Sequence, residues 1–456
     1  MKKEILFYST NKSCPPVPFS VALLQGQAPD YGLYMPEKIK KISGEEILSF
    51  KNKSYQQIAF EVIKNFIPDV IPDDKLFSMI KEAYNFTIPI EHITENFYII
   101  RLDRGPTASF KDFAARLMAR FMEYFTSMND KHLIVLVATS GDTGSAIANA
   151  FLHMKNIDVV ILFPKDEVTE KQRKQMTTLD YNIHPIAIKG KFDDCQAIIK
   201  KAFNDQNFKN LNLTSANSIN IGRLIPQSVY YFYAYSRIDS KKINFSVPSG
   251  NFGNLMGGVL AKKTGLPVNK FIVAVNKNDE FPGFLKTGRY SPVVPSKKCS
   301  SNAMNVGHPS NLARLMDLYG GWFLDVRDEY GNVIKKGVFK KYPDIKKMRK
   351  DFISFSINDT EVDNVIKKYY EQYNIIIEPH GAVAVASAEK SNIKEQPIIC
   401  LETADPAKFS EKIEEILHIK PEFPKSMEKL DTKKEKFEII PNRYEKFKEF
   451  IKSIFT

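Results

Sequence analysis

One lysine, Lys111, stands in the segment Gly105-Pro106-Thr107-Ala108-Ser109-Phe110-Lys111-Asp112-Phe113-Ala114-Ala115, at the mouth of an apolar helical pattern. Two glycine-rich turns follow, Ser140-Gly141-Asp142-Thr143-Gly144-Ser145 and Ser249-Gly250-Asn251-Phe252-Gly253-Asn254. A sheltered lysine amine can condense with an aldehyde or take a proton, provided it is neutral. Glycine turns free backbone N–H groups to cradle anions. An amine for an aldehyde and amides for a phosphate are what a pyridoxal phosphate cofactor requires. A second turn leaves a site for an anionic substrate group.

The elements that must position these residues alternate. Residues 98–102 read as a strand, and Phe110, Phe113, Ala114, Leu117 and Phe121 recur at helical spacing, which predicts a helix over 109–125. Strands follow at 133–138, 159–163, 185–188, 211–214, 243–247 and 270–275. Helices lie between them at 143–154, 168–178, 193–204, 219–236 and 253–263. The rhythm weakens over 276–375, then resumes with a helix at 382–387 and a strand at 397–401. Continuous apolar strands alternating with helices predict an α/β fold whose parallel sheets are covered on both faces. The domain division read from this is 1–97, 98–240 and 241–456. The last unit holds an irregular insertion at about 290–375 and a basic, terminally helical tail.

Taken singly, each motif has a plain structural alternative. Lys111 lies off the 110, 114, 117, 121 stripe, where a first-turn lysine is ordinarily solvated. A positive charge at a helix N-terminus is slightly unfavourable, a weak reason for a neutral amine. The 140–145 turn, with hydroxyls at Ser140, Thr143 and Ser145, fits a ligand turn at the carboxyl end of a parallel strand or a mere capped connection. The 249–254 turn lacks the third glycine of a dinucleotide fingerprint and the lysine of a P-loop. Asn217-Ser218, with Arg223 five residues on, could grip a phosphate if a helix begins at 218. The alternative there is a cap plus a surface arginine.

The 456 residues carry a net charge of +12 and 43% apolar residues, enough for two or three domains with real cores. The lysines are scattered and read as solvated faces, with no zinc-finger spacing and no aromatic-interleaved RNA motif. The dispersed Cys14, Cys195, Cys299 and Cys400 form no CxxC pair, which fits reduced thiols in the cytoplasm and no metal site. No run of about 18 apolar residues is present to span a membrane.

The motifs at 25–36, 105–113, 139–145, 215–227, 248–254, 276–279, 287–290, 301–311 and 403–409 occur in the order found in the threonine synthase family, and together they resemble it. That family belongs to the fold-type II, tryptophan synthase β-like pyridoxal-phosphate enzymes. The resemblance implies two parallel-sheet domains plus an N-terminal extension. It implies that Lys111 holds the cofactor as a Schiff base and serves as the base. Gly250, Asn251, Phe252, Gly253 and Asn254 would cradle the cofactor phosphate, Thr403 would meet the pyridine nitrogen, and Asp142 would contribute to cofactor binding. Ser140, Gly141 and Thr143 would hold the substrate carboxylate. Asn217, Ser218, Arg223 and Asn251 would hold its phosphate. The implied reaction turns O-phospho-L-homoserine and water into L-threonine and phosphate, by a cytoplasmic monomer or homodimer with no nucleic-acid or membrane partner. The alternatives are a threonine or serine dehydratase, a cysteine synthase-like β-replacement, or a lapsed binding protein of the same fold. Three positions depart from the family pattern: Asn305 for an aspartate, Asp405 for a histidine and Tyr31 for a glycine.

Overall fold

A computed structural model describes residues 4–129, 131–329, 331–428 and 430–455. In strand Leu133–Ala138, Leu133, Val135 and Val137 join the central core, while Ile134, Leu136 and Ala138 face a second core. Successive strand side chains point to opposite faces, so a sheet covered on both sides is apolar at every position. Val268–Val275 repeats this, with Phe271, Val273 and Val275 in the central core and Ile272 and Ala274 in a third.

Among the described residues these strands form two large sheets. The first is wholly parallel, in the order Glu438–Pro441, Ile183–Lys189, Ile157–Pro164, Leu133–Ala138, Leu213–Ser215. The second runs Phe352–Ser356, Val268–Val275, Ile243–Pro248, Ile398–Glu402, Phe97–Arg101, all parallel, with antiparallel Ile90–Thr94 at its edge. Helices Lys111–Asn129 and Asp142–Phe151 pack in the central core. Phe192–Asn204 and Tyr444–Phe455 cover the far face of the first sheet, and Asp359–Tyr373 and Pro379–Ser391 that of the second. This is the α/β, fold-type II arrangement.

The structure redraws several sequence expectations. Strand Phe97–Arg101, grouped by sequence with the lysine-bearing unit, pairs with Ile398–Glu402 in the second sheet. The tail strand Glu438–Pro441 returns to the first sheet. A short apolar run carries no record of its partner. The segment expected to be irregular contains the hairpin Trp322–Arg327 and Val333–Lys341, then the edge strand Phe352–Ser356. Exposed lysines interrupt that hairpin's apolar signal. The single helix expected over 219–236 is two, Ile221–Gln227 and Val229–Ser236. N-terminal helices Phe19–Gln25, Tyr55–Phe66 and Asp73–Ala83 share the central core.

Candidate active site

Lys111 opens helix Lys111–Asn129 and is only 9% exposed. A distant segment roofs it. The Phe110 N–H donates to the Thr403 carbonyl at 2.9 Å, and the Asp405 N–H donates to the Ala108 carbonyl at 3.0 Å. Asp112 reaches back to accept from the Thr107 amide at 2.9 Å and its hydroxyl at 2.6 Å, closing the loop before the helix. A lysine whose sequence context fits solvent is therefore interior.

The 140–145 turn brings its aspartate to that amine. The Thr139 hydroxyl accepts from the N–H groups of Gly141 at 2.9 Å and Gly144 at 2.8 Å, folding the chain into helix Asp142–Phe151. Gly141 has φ 133°, and a Cβ there would lie 2.4 Å from the Gln172 side chain, so glycine is required. Asp142 Oδ2 lies 3.5 Å from Lys111 Nζ. Asp142 Oδ1 meets Lys408 Nζ at 2.8 Å and accepts from Gln172 Nε2 at 2.9 Å. Burial, the largest effect, pushes the Lys111 pKa down. Asp142 opposes that shift, while Lys408 and Arg223 add to it. Burial alone would raise the Asp142 carboxyl, but Lys408, Lys111 and Gln172 pull it far below the usual carboxylate range. Ser140 and Thr143 are half-buried beside it.

The second turn meets the 217–223 cluster. Phe252 takes a left-handed φ of 61° just before helix Gly253–Thr264, and Ser218 Cβ lies against Gly253. Asn311 Nδ2 donates to the carbonyls of Asn251 at 2.9 Å and Ser218 at 3.3 Å. The condition that a helix begin at 218 is not met: the helix begins at Ile221, because Asn220 accepts the Gly222 N–H at 2.8 Å and takes the capping role. Asn217 and Ser218 thus lie in the preceding turn. Arg223 is a buried residue, not a surface one. It donates to the Ala216 carbonyl at 2.9 Å, and burial pushes its pKa down to about 10.

Arg223 Nε, Asn217 Oδ1 and Asn254 Nδ2 are buried without a hydrogen-bond partner among the described residues. Leaving such groups unmet costs about 1–3 kcal/mol each; Arg223 Nε and Asn254 Nδ2 are donors that fit a ligand rich in acceptors, while Asn217 Oδ1 is an acceptor that fits a donor. Thr403 Oγ1 donates to Glu378 Oε1 at 3.2 Å, at the carboxyl end of strand Ile398–Glu402. A buried amine, a glycine cradle and unmet donors are the donor set a phosphorylated aldehyde such as pyridoxal phosphate needs.

Three family models match in succession: threonine synthase N terminus over 6–84, pyridoxal-phosphate dependent enzyme over 86–331, and threonine synthase C-terminal over 381–451. The threonine synthase of Haemophilus influenzae is 37% identical over 420 residues, covering 91% of each chain. The chain belongs to the threonine synthase family. The solved structure of pyridoxal phosphate-bound threonine synthase from Brucella melitensis matches at TM-score 0.91 and 32% identity, over 98% of this chain and 99% of that one. That of Escherichia coli matches at TM-score 0.87 and 33% identity, over 99% and 100%.

At the three positions set apart in the sequence, local contacts fit the residue present. Asn305 Oδ1 accepts from Asn276 Nδ2 at 2.9 Å and the Cys299 N–H at 3.1 Å, while its Nδ2 donates to the Cys299 carbonyl at 3.3 Å. An aspartate there would lose the donor. Asp405 accepts the Ala407 N–H at 2.9 Å and faces Arg104 at 3.3 Å. Tyr31 takes a left-handed φ of 64°, the conformation a glycine adopts freely, and its ring lies 4.4 Å below the Arg327 guanidinium.

Sequence reasoning missed Gln172, Arg314, Glu378 and Lys408. Arg314 is fully buried and donates to Tyr34 O, Ser218 O, Ile219 O and Asn311 Oδ1, tying the N-terminal segment to both turns. Arg314 lies three residues past the 301–311 motif, and Lys408 lies inside the 403–409 motif. Gln172 and Glu378 carried no local signal.

Proposed function

We propose that the chain catalyses the threonine synthase reaction, conversion of O-phospho-L-homoserine and water to L-threonine and phosphate, with pyridoxal phosphate held at Lys111. The observation that carries this reading is the buried Lys111 amine, 3.5 Å from Asp142, in a site that also holds the buried Arg223 guanidinium. When bound, the cofactor supplies the electron sink for charge developing on substrate carbon.

The chain's own residues do the rest. The backbone of Gly250, Asn251, Phe252, Gly253 and Asn254 would hold the cofactor phosphate, Thr403 its ring nitrogen, and Asp142 the side facing Lys111. Ser140, Gly141 and Thr143 would take the substrate carboxylate. Arg223, Asn217, Ser218 and Asn251 would take the substrate phosphate, which a dehydratase acting on free threonine does not carry. Lys111, as a free amine, would remove the proton from Cα and then from Cβ. Phosphate leaves from Cγ, a proton returns there, and water adds at Cβ. One movable base close to both carbons serves these transfers.

No described helix is long and apolar enough to cross a membrane. The reading extends to a cytoplasmic enzyme, monomeric or homodimeric, without a nucleic-acid partner. The test is release of phosphate and threonine from O-phospho-L-homoserine by wild type and Lys111→Ala. Both products are expected from wild type and neither from the variant. Wild type that shows the cofactor's visible absorbance but releases neither product would sink the substrate assignment.

A further inference from the structure

Lys408 is a lysine sealed inside the molecule. Its side chain has no exposed surface, and its Nζ lies 2.8 Å from Asp142 Oδ1 while donating to the Thr107 carbonyl at 2.8 Å. Asp142 therefore stands between two lysines, and its shorter contact is with the one away from the reacting centre. The charged groups facing Lys111 are Asp142 from helix Asp142–Phe151, Lys408 from the turn Pro406–Phe409 and Arg223 from helix Ile221–Gln227. Just before its helix the Phe110 ring lies 4.8 Å away, and on the helix Asp112 is turned back onto Thr107.

A carboxylate facing a buried lysine alone would hold it as an ammonium. The ammonium can neither condense with an aldehyde nor remove a proton. We propose that Lys408 is a positioning residue that engages the Asp142 carboxylate and so leaves Lys111 as the free amine the site needs. The proposal rests on Lys111 being the cofactor lysine. Gln172, donating to the same oxygen of Asp142, keeps that carboxylate turned toward Lys408. In the condensation, the Lys111 nitrogen forms a bond to the aldehyde carbon and water leaves, with no further reactant required.

The test incubates apoenzyme with pyridoxal 5'-phosphate from about pH 6 to about pH 10, traps with cyanoborohydride and measures label on the Lys111 peptide by mass. Lys408→Met is expected to move the trapping midpoint up by about one pH unit or more, because Asp142 then faces Lys111 alone. Asp142→Asn is expected to move it below wild type. The double variant should return to within about half a unit of wild type, since carboxylate and counter-charge leave together. An unmoved midpoint in Lys408→Met, or an upward shift that persists in the double variant, would overturn the proposal. If Lys408→Met fails to fold, Asp142→Asn and the double variant decide: a lower midpoint in the single variant supports the proposal, and equal midpoints overturn it. Wild type labelled elsewhere than Lys111 overturns the cofactor-lysine reading itself, which the variants cannot mimic.

Discussion

Arg223 and Arg314 show how single residues set the charge of the site. Both are buried, with neutral hydrogen-bond partners among the described residues, and burial pushes Arg314 down to about 9. Arg314 spends its donors on protein carbonyls and on Asn311, so its role is to hold the Ser218 turn. Arg223 Nε has no partner among the described residues, which supports the proposed place for the substrate phosphate. Hydrogen bonds to a charged group contribute about 1.5–3 kcal/mol, so Arg223→Met should lower kcat/KM for O-phospho-L-homoserine by about 10- to 150-fold. The cofactor's visible absorbance should remain. Steady-state kinetics with parallel spectra check this, and an unchanged kcat/KM would remove Arg223 from the phosphate site.

Each glycine turn is the junction of a strand with a helix, and another element presses on it. Strand Ile243–Pro248 ends in the 249–254 turn, and the 303–304 backbone packs directly against Gly250. A Cβ there would come within 2.6 Å of the Ala303 carbonyl and 3.0 Å of Met304 Cα, both backbone atoms with little room to yield. Overpacking of this kind costs about 1–3 kcal/mol. Gly250→Ala is therefore expected to weaken cofactor affinity about tenfold or more, read by absorbance titration of the apoenzyme. An unaltered titration would mean that the turn does not shape the cradle. The glycine was legible in the sequence, but its opposing segment 53 residues along the chain was not.

Across the whole molecule, the tail locks the first sheet. Strand Glu438–Pro441 pairs with Ile183–Lys189, and helix Tyr444–Phe455 buries Phe447 and Ile451 in the apolar cluster that also holds Ile134, Leu136 and Val160. Phe447 is fully buried. Truncating a buried phenylalanine costs about 3–5 kcal/mol, so Phe447→Ala should lower the urea midpoint clearly while leaving the cofactor's spectrum in the folded enzyme unchanged. An unshifted midpoint would show the tail to be a solvated appendage, as its lysine-rich composition alone suggests.

The sequence by itself determined the alternation of strands and helices, the two glycine turns and the lysine ahead of them, because apolar periodicity and glycine placement are local properties. It also carried the family motifs in order, and with them the reaction and the cofactor. Tertiary structure alone decided that Lys111 is interior, that Asp142 pairs with Lys408 266 residues away, and that Phe97–Arg101 and Glu438–Pro441 join sheets far from their neighbours in the chain. Burial and pairing are set by segments that meet only on folding. A lysine at a helix start reads the same in sequence whether water or another strand's end lies above it. What separates the two cases is the 403–405 backbone laid across residues 108–110.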